Sequence, residues 1–201
     1  MRLTLVRHGE TISNKKGTIQ GQRHGKLSIL GIKQAKKVGL CLKKEKFEFI
    51  YISDLKRAID TAKEIIKFHP NAKVIYEPKI RERSVGEFEG KTWGIERETA
   101  EKLGIKQVNF RPKGGESIAD FKKRIKAFLR TIKRKHNGKK VLLVTHGGPI
   151  TAILLHLLKI PAKDYRKYMP KNTAVSVFEF KNIKGKSIPK LIKLNCDKHL
   201  K

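Results

Sequence analysis

The sequence has little cysteine and no hydrophobic run long enough to cross a membrane. Cys41 and Cys196 are the only cysteines in 201 residues, which excludes a disulfide framework, and their spacing fits no zinc site. No apolar stretch approaches the ~20 residues of a membrane-spanning helix. A strand pattern starts at Arg2 and leaves no room for a secretory signal. We therefore expect free thiols and a cytoplasmic location.

Acidic residues are also scarce. The chain has 18 Asp and Glu against 48 Lys and Arg, so its formal net charge is +30. A field of this sign attracts anions, and it raises the question of a basic nucleic-acid-binding protein. The densest run is Lys133-Arg134-Lys135, followed by Lys139-Lys140. There is no zinc-finger spacing and no aromatic RNA-binding signature, so the pattern favours a lysine-rich solvated surface over nucleic acid.

Apolar blocks alternate between strand and helix periodicity along the chain. The pattern predicts strands at 3–6, 49–52, 74–76, 141–144, 175–180 and 188–194. Predicted helices lie at 31–44 after a Ser28 cap, at 55–68 after a Ser53 cap, at 117–135, and after Pro149 in the first helical position. The expected fold is one α/β domain over 1–201, a three-layer sandwich with a mostly parallel central sheet flanked by helices.

Polar residues follow the predicted strands where each strand ends. They are Arg7-His8-Gly9, Arg57, Glu82 and His146-Gly147-Gly148. Alone, each fits an ordinary role, such as a surface turn, a solvated arginine, a loop carboxylate or a core histidine. Because carboxyl ends of parallel strands meet at one edge, these residues are expected to surround one pocket. Together they offer a nucleophile, cations and a proton donor, as phosphoryl transfer requires.

Five blocks in this order resemble the histidine phosphatase superfamily, in its phosphoglycerate-mutase-like branch. The blocks are Leu5-Val6-Arg7-His8-Gly9-Glu10-Thr11 with Asn14 and Gln20-Gly21; 27–35; Ser53-Asp54-Leu55-Lys56-Arg57-Ala58 with Thr61; Ile80-Arg81-Glu82-Arg83 with Gly86 and Glu89-Gly90; and Gly114-Gly115-Glu116-Ser117 with Val144-Thr145-His146-Gly147-Gly148. They span almost the whole chain, which makes the resemblance specific.

The resemblance implies a role for each matched residue. His8 would be the phosphorylated nucleophile, and Glu82 would protonate the leaving group and then serve as base for water. The phosphate oxygens would be held by Arg7, Arg57 and His146. Further phosphate or substrate contacts would come from Asn14, Gln20, Gly21 and Gly147. The family needs no metal for this chemistry, and we expect no cofactor for this chain.

The resemblance covers both phosphatases and cofactor-dependent phosphoglycerate mutases. Mutases carry a longer insertion with extra arginines for the substrate carboxylate, whereas residues 90–114 here hold only Arg97 and Arg111. We therefore expect hydrolysis of small anionic phosphate esters, with mutation as the alternative and nucleic-acid binding as a further one. Residues 91–113 are expected to form a small helical cap, in which Trp93 packs. A homodimer is left open.

Overall fold

The computed structural model describes residues 1–183 and 186–201, and six strands of this part form one sheet. The strands are β1 (Arg2–Arg7), β2 (Phe49–Ile52), β3 (Lys73–Tyr76), β4 (Lys140–Thr145), β5 (Val175–Ile183) and β6 (Lys186–Cys196). They lie in the order β3-β2-β4-β1-β5-β6. The first four are mutually parallel, and β5 and β6 are antiparallel to their neighbours. The predicted α/β fold with a mostly parallel sheet is confirmed.

Helices cover both faces of the sheet and give it two apolar cores. They are α1 (Ile12–Lys15), α2 (Ile29–Leu42), α3 (Lys56–Ile66), α4 (Ile95–Lys102), α5 (Ile118–Lys135) and α6 (Gly147–Leu157). Apolar residues of α2 and α3, such as Val38 and Ile65, pack on one face, and those of α5 and α6, such as Ile125 and Ile153, pack on the other. None of the described helices is long and apolar enough to cross a membrane. The division into domains stays a prediction.

Two predicted helix starts are confirmed and two are wrong. Ser28 Oγ accepts from Gly31 N at 2.9 Å, and Ser117 caps α5 through Asp120 N. Ser53 does not cap a helix, because α3 begins at Lys56 and its first turn has no side-chain cap. Pro149 is the third residue of α6, which begins two residues earlier at Gly147. Both errors concern residues at the sheet edge where the polar residues were predicted to gather.

A short helix lies in the predicted cap segment. α4 contributes Ala100 to a small separate core with Ile19 and Phe88. The interpretation of Trp93 as a packing residue is wrong, because 67% of its surface is exposed. The buried ion pair between Arg83 and Glu96 ties α4 to the loop that carries Glu82.

Two glycines let α2 approach the end of β1 closely. A Cβ at Gly31 would overlap the carbonyl oxygen of Glu10, and a Cβ at Gly9 would overlap the Gly31 carbonyl. The same turn is held by two hydrogen bonds, from Ser28 N to Glu10 O and from Glu10 N to Gln34 Oε1, both of 2.9 Å. The residues that follow β1 are thereby fixed against a helix of the outer layer.

We expect Gly31→Ala to lower the free energy of unfolding by about 1–3 kcal/mol, because the added methyl group overpacks this contact. In an unconstrained helix the same change would stabilise, since alanine has the higher helix propensity. Urea unfolding measures the difference. Leu30→Ala, in the same turn but half-exposed, is the control and is expected to stay within ~0.5 kcal/mol. Equal or greater stability of Gly31→Ala would contradict the prediction.

Candidate active site

The pairing of β1 with β4 brings two histidines together at the carboxyl edge of the sheet. Arg7 lies opposite Thr145 in the parallel register, and His8 N donates to Thr145 O at 2.9 Å. The next residue of each strand is a histidine, and the ring centroids of His8 and His146 are 5.1 Å apart. The structure thus joins two motifs that are 138 positions apart in sequence.

His8 is held as a neutral imidazole with one free nitrogen. Its Nδ1 donates to the carbonyl oxygen of Gly9 at 2.7 Å, and only 3% of the residue is exposed. Burial, together with the charges of Arg57 and Arg7, lowers the pKa of His8 well below 6.5. The lone pair of Nε2 is therefore available at neutral pH, which is the state that a nucleophilic histidine needs.

Both ring nitrogens of His146 have protein partners. Nδ1 lies 3.1 Å from Arg57 Nε, and Nε2 lies 2.7 Å from Ser53 Oγ. Because the arginine can only donate, Nδ1 accepts and the proton is on Nε2, which donates to Ser53. Burial and the nearby charge of Arg57 lower the pKa of His146 well below 6.5. His146 in this arrangement orients the arginine.

Arg57 is the most deeply buried charged side chain of the site, with 1% of its surface exposed. Besides His146, it donates from Nη1 to Arg23 O and from Nη2 to Gly21 O, each at 2.8 Å. A guanidinium has five N–H groups, so two remain for a ligand. Burial, with Arg7 nearby, lowers the pKa of Arg57 to about 10, and the group stays cationic at neutral pH.

Arg7 and the first residues of α6 form the neighbouring wall. Arg7 Nη1 donates to Pro170 O at 2.7 Å, while its buried Nε has no hydrogen-bond partner among the described residues. This Nε lies close to Gly147, the first residue of α6. The first N–H groups of a helix have no intrahelical partners and attract anions. Because Gly148 N donates to Glu82 and Pro149 has no N–H, this wall presents Arg7 Nε and the N–H of Gly147 to a negatively charged group.

Glu82 is anchored at the same helix start. Its Oε1 accepts from Arg83 N and its Oε2 from Gly148 N, each at 2.9 Å. A side chain at position 148 would overlap the carboxylate, so the contact requires glycine there. The backbone carbonyl of Glu82 accepts from Gln22 Nε2 at 3.1 Å. Glu82 thus lies at the same wall of the pocket as Arg7.

The remaining predicted residues lie mainly around this pocket as supports. Gly21 supplies a carbonyl to Arg57, and Gln20 Nε2 donates to Thr11 Oγ1 at 2.7 Å while its buried Oε1 has no partner within the described residues. Asn14 accepts through Oδ1 from Thr11 N at 3.2 Å and from Asn172 Nδ2 at 3.4 Å. The Nδ2 amide group of Asn14 therefore still has N–H donors available for a ligand.

Three supporting residues were not predicted for these roles. Ser53 accepts from His146, Thr61 Oγ1 accepts from Gly9 N at 2.9 Å, and Asn172 Nδ2 donates to the His8 carbonyl at 3.0 Å. Ser53 and Thr61 both lie in a block that carries the family resemblance. Asn172 has no such signal, because it lies in the turn before β5 and is distant in sequence from every matched block. In the described parts of the chain no cluster of three or more His, Cys, Asp or Glu could hold a metal ion.

Comparison with known proteins agrees with this geometry. The family model of the histidine phosphatase superfamily (branch 1) matches residues 3–190. The chain belongs to this superfamily. A metal-independent phosphoserine phosphatase of Arabidopsis thaliana is 41% identical over 161 residues, which cover 77% of this chain and 68% of that protein. A probable phosphoglycerate mutase of Yersinia enterocolitica is 33% identical over 90% of this chain and 85% of that protein.

A solved structure has the same fold over nearly the whole chain. The phosphoserine phosphatase of Entamoeba histolytica, a mutant in complex with phosphoserine, superposes with a TM-score of 0.83 and 31% identity. The match covers 99% of this chain and 98% of that one. The protein is therefore a histidine phosphatase, a hydrolase that acts on phosphate esters through a phosphohistidine.

Because His8 and His146 of this histidine phosphatase are buried and neutral, we expect the protein to lose stability in mild acid. Because the pKa values of His8 and His146 are lowered by folding, the unfolded chain takes up protons below about pH 6.5 while the folded chain does not. Each histidine then lowers the free energy of unfolding by up to about 1.4 kcal/mol per pH unit. Urea unfolding at pH 7.5, 6.5 and 5.5 measures this slope.

The double variant His8→Asn, His146→Asn is the control for this prediction. It removes both imidazoles, so its free energy of unfolding is expected to fall less steeply between pH 6.5 and 5.5 than that of the wild type. Some slope remains, because other histidines and carboxylates still titrate. Identical slopes for the variant and the wild type would show that these two histidines do not titrate differently in the folded and unfolded states.

Proposed function

We propose that His8 is the nucleophile and that its Nε2 attacks phosphorus to form the phosphohistidine. The observation that carries this proposal is the hydrogen bond from Nδ1 to the Gly9 carbonyl, which leaves the lone pair on Nε2. The low pKa of His8, caused by burial and two arginines, keeps that lone pair unprotonated at neutral pH. A nucleophile needs no separate general base when it is already neutral and oriented.

The phosphoryl oxygens are bound by Arg7, Arg57, the Asn14 amide and the N–H of Gly147. The two arginines are cationic, largely buried and fixed by backbone carbonyls, so they need little rearrangement as charge develops. His146 contributes to phosphoryl binding by orienting Arg57. To donate to a phosphoryl oxygen directly, His146 would have to turn its Nε2–H away from Ser53 or gain a proton on Nδ1 in place of the bond from Arg57. Gln20 and Gly21 support this arrangement from the loop that Arg57 holds.

Glu82 is the proton donor to the leaving oxygen and then the base for the hydrolytic water. An alkoxide leaves slowly at neutral pH, so its oxygen needs a proton as the P–O bond breaks. Glu82 is the carboxylate at the start of α6, next to the proposed phosphate donors. Each carboxylate oxygen accepts one backbone N–H and has a further lone-pair position, which leaves a place for the transferred proton.

The substrate is a small phosphate ester, and hydrolysis prevails over phosphoglycerate mutation. The short segment between Gly90 and Gly114 has only two arginines, Arg97 and Arg111, each in an exposed ion pair with Glu101 or Asp120, which supports hydrolysis over mutation. Phosphoserine is the first compound to test, because relatives carry that name. A cytoplasmic location and a possible homodimer stay predictions.

We expect His8→Ala to form no phosphoenzyme and to lose hydrolysis. In the wild type, substrate labelled in its phosphate should yield an acid-labile, base-stable protein phosphate, and EDTA should not change the rate. Rapid quenching with denaturant followed by gel analysis at high pH detects the label. His156→Ala, which alters an exposed histidine on α6, is the control and should be labelled normally. Undiminished turnover of His8→Ala would exclude the proposed nucleophile.

We expect Glu82→Gln to slow hydrolysis of phosphoserine by about 10²–10⁴-fold, the usual contribution of a general acid. p-Nitrophenyl phosphate has a leaving group that needs almost no protonation, so its rate of phosphoenzyme formation should fall much less. Single-turnover rates on both substrates measure the contrast. Glu87→Gln, in the same loop region but bonded to Lys113 N, is the matched control. Equal losses on both substrates would remove Glu82 from the role of proton donor.

A further inference from the structure

The helical layer formed by α5 and α6 carries little negative charge. Residues 121–163, which include most of α5, all of β4 and all of α6, contain no Asp or Glu. In the opposite layer α2 likewise contains no Asp or Glu, but α3 has acidic residues that pair with its lysines, for example Asp60 with Lys56 and Glu64 with Lys67. Most cations of α5 therefore have no acidic residue near them in sequence, and their arrangement on the helix decides what they can bind.

The uncompensated cations form a stripe along α5. Lys122, Lys126, Arg130 and Lys133 recur at helical spacing, and none of them has an ion-pair partner among the described residues. Arg124 lies outside this stripe and is paired with Glu116. With a rise of 1.5 Å per residue, the stripe is about 16 Å long.

A groove runs beside the stripe, between α5 and α6. Its volume is about 430 Å³, and its lining includes three lysines, Lys122, Lys126 and Lys159, together with His156. Burial lowers the pKa of His156, and the nearby charges of Lys126, Lys133 and Arg130 lower it further. The groove therefore has lysines on both sides, Lys122 and Lys126 on α5 and Lys159 after α6, an arrangement that an anion would stabilise.

Lys159 has a backbone conformation that supports this interpretation. Its φ is +55°, in the left-handed region, at the position after α6 where glycine is usual. The turn is closed by a hydrogen bond from Ile160 N to Leu155 O at 3.0 Å. A lysine at such a position costs free energy relative to glycine, and here it places a cation on the groove.

The chemistry of this face distinguishes among polyanions. No large apolar side chain of α5 or α6 is exposed, whereas α2 exposes Ile29, Leu30 and Leu40. Amphipathic helices that lie in a lipid surface insert apolar side chains next to their cations, and α5 and α6 expose no large apolar side chain. The aromatic side chains of α5, Phe121 and Phe128, are buried, so bases of a single strand would have no stacking partner.

We propose that the α5–α6 face binds the phosphate backbone of a nucleic-acid duplex, without reading its sequence. A duplex shields its bases and presents phosphates at 3.4 Å per strand along its axis, so the 16 Å stripe faces about five phosphates of one strand. The binding is electrostatic, and its contacts are to phosphates alone. This surface is separate from the residues assigned to phosphatase chemistry, and the two activities can be tested independently.

The test compares two triple variants that remove the same charge from opposite layers. The first is Lys122→Ala, Lys126→Ala, Arg130→Ala on α5, and the second is Lys33→Ala, Lys36→Ala, Lys44→Ala on or directly after α2. Fluorescence anisotropy with a labelled 20-base-pair DNA measures affinity from 50 to 200 mM salt. Thermal melting and p-nitrophenyl phosphate turnover show that both variants are folded.

The α5 variant is expected to bind at least 10-fold more weakly at 50 mM salt. Its slope of log affinity against log salt should decrease by about 2–3, roughly 0.9 for each lost phosphate contact. The α2 variant should change affinity by less than 3-fold. Equal losses in the two variants would overturn the proposal in favour of general charge attraction. Stronger binding to a single strand, or to vesicles with 30% phosphatidylserine, would overturn it in favour of another partner.

Discussion

The guanidinium of Arg57 connects most of the parts from which the pocket is built. It belongs to α3, but its three nitrogens donate to His146 after β4 and to two carbonyls of the loop after α1. Burial makes these bonds obligatory, because a buried cation without partners would cost several kcal/mol. The loop with Gly21 and Arg23, the helix α3 and the end of β4 are thus fixed relative to one another by a single side chain.

The electrostatics of the pocket depend on the same burial. Two largely buried arginines lie beside two histidines, and their charges help to keep both imidazoles neutral. Glu82 is the carboxylate whose charge opposes the lowering of both arginine pKa values. The pocket is therefore organised for an additional anion, and the protein carries an electrostatic cost in its absence. This explains why neutral histidine and cationic arginine coexist at close range.

The sequence allowed prediction of the sheet and of the residues at its carboxyl edge, because strand periodicity and the matched blocks are local signals. The contact of Ser53 with His146 was not predicted from the sequence, because a serine before a helix resembles a cap and His146 is 93 positions away. Asn172 could not be found because a side-chain bond to the His8 carbonyl has no counterpart in the pattern of the chain. Trp93 was misjudged because aromatic character alone does not determine burial.

Arg7 Nε and the N–H of Gly147, which have no hydrogen-bond partner among the described residues, have a consequence for turnover. On the proposed roles, these donors bind the phosphoryl group whichever molecule carries it, and inorganic phosphate released by hydrolysis carries the same oxygens. Product and substrate then compete for one site, and accumulated phosphate inhibits hydrolysis. The activity of the enzyme is thereby coupled to the concentration of free phosphate around it.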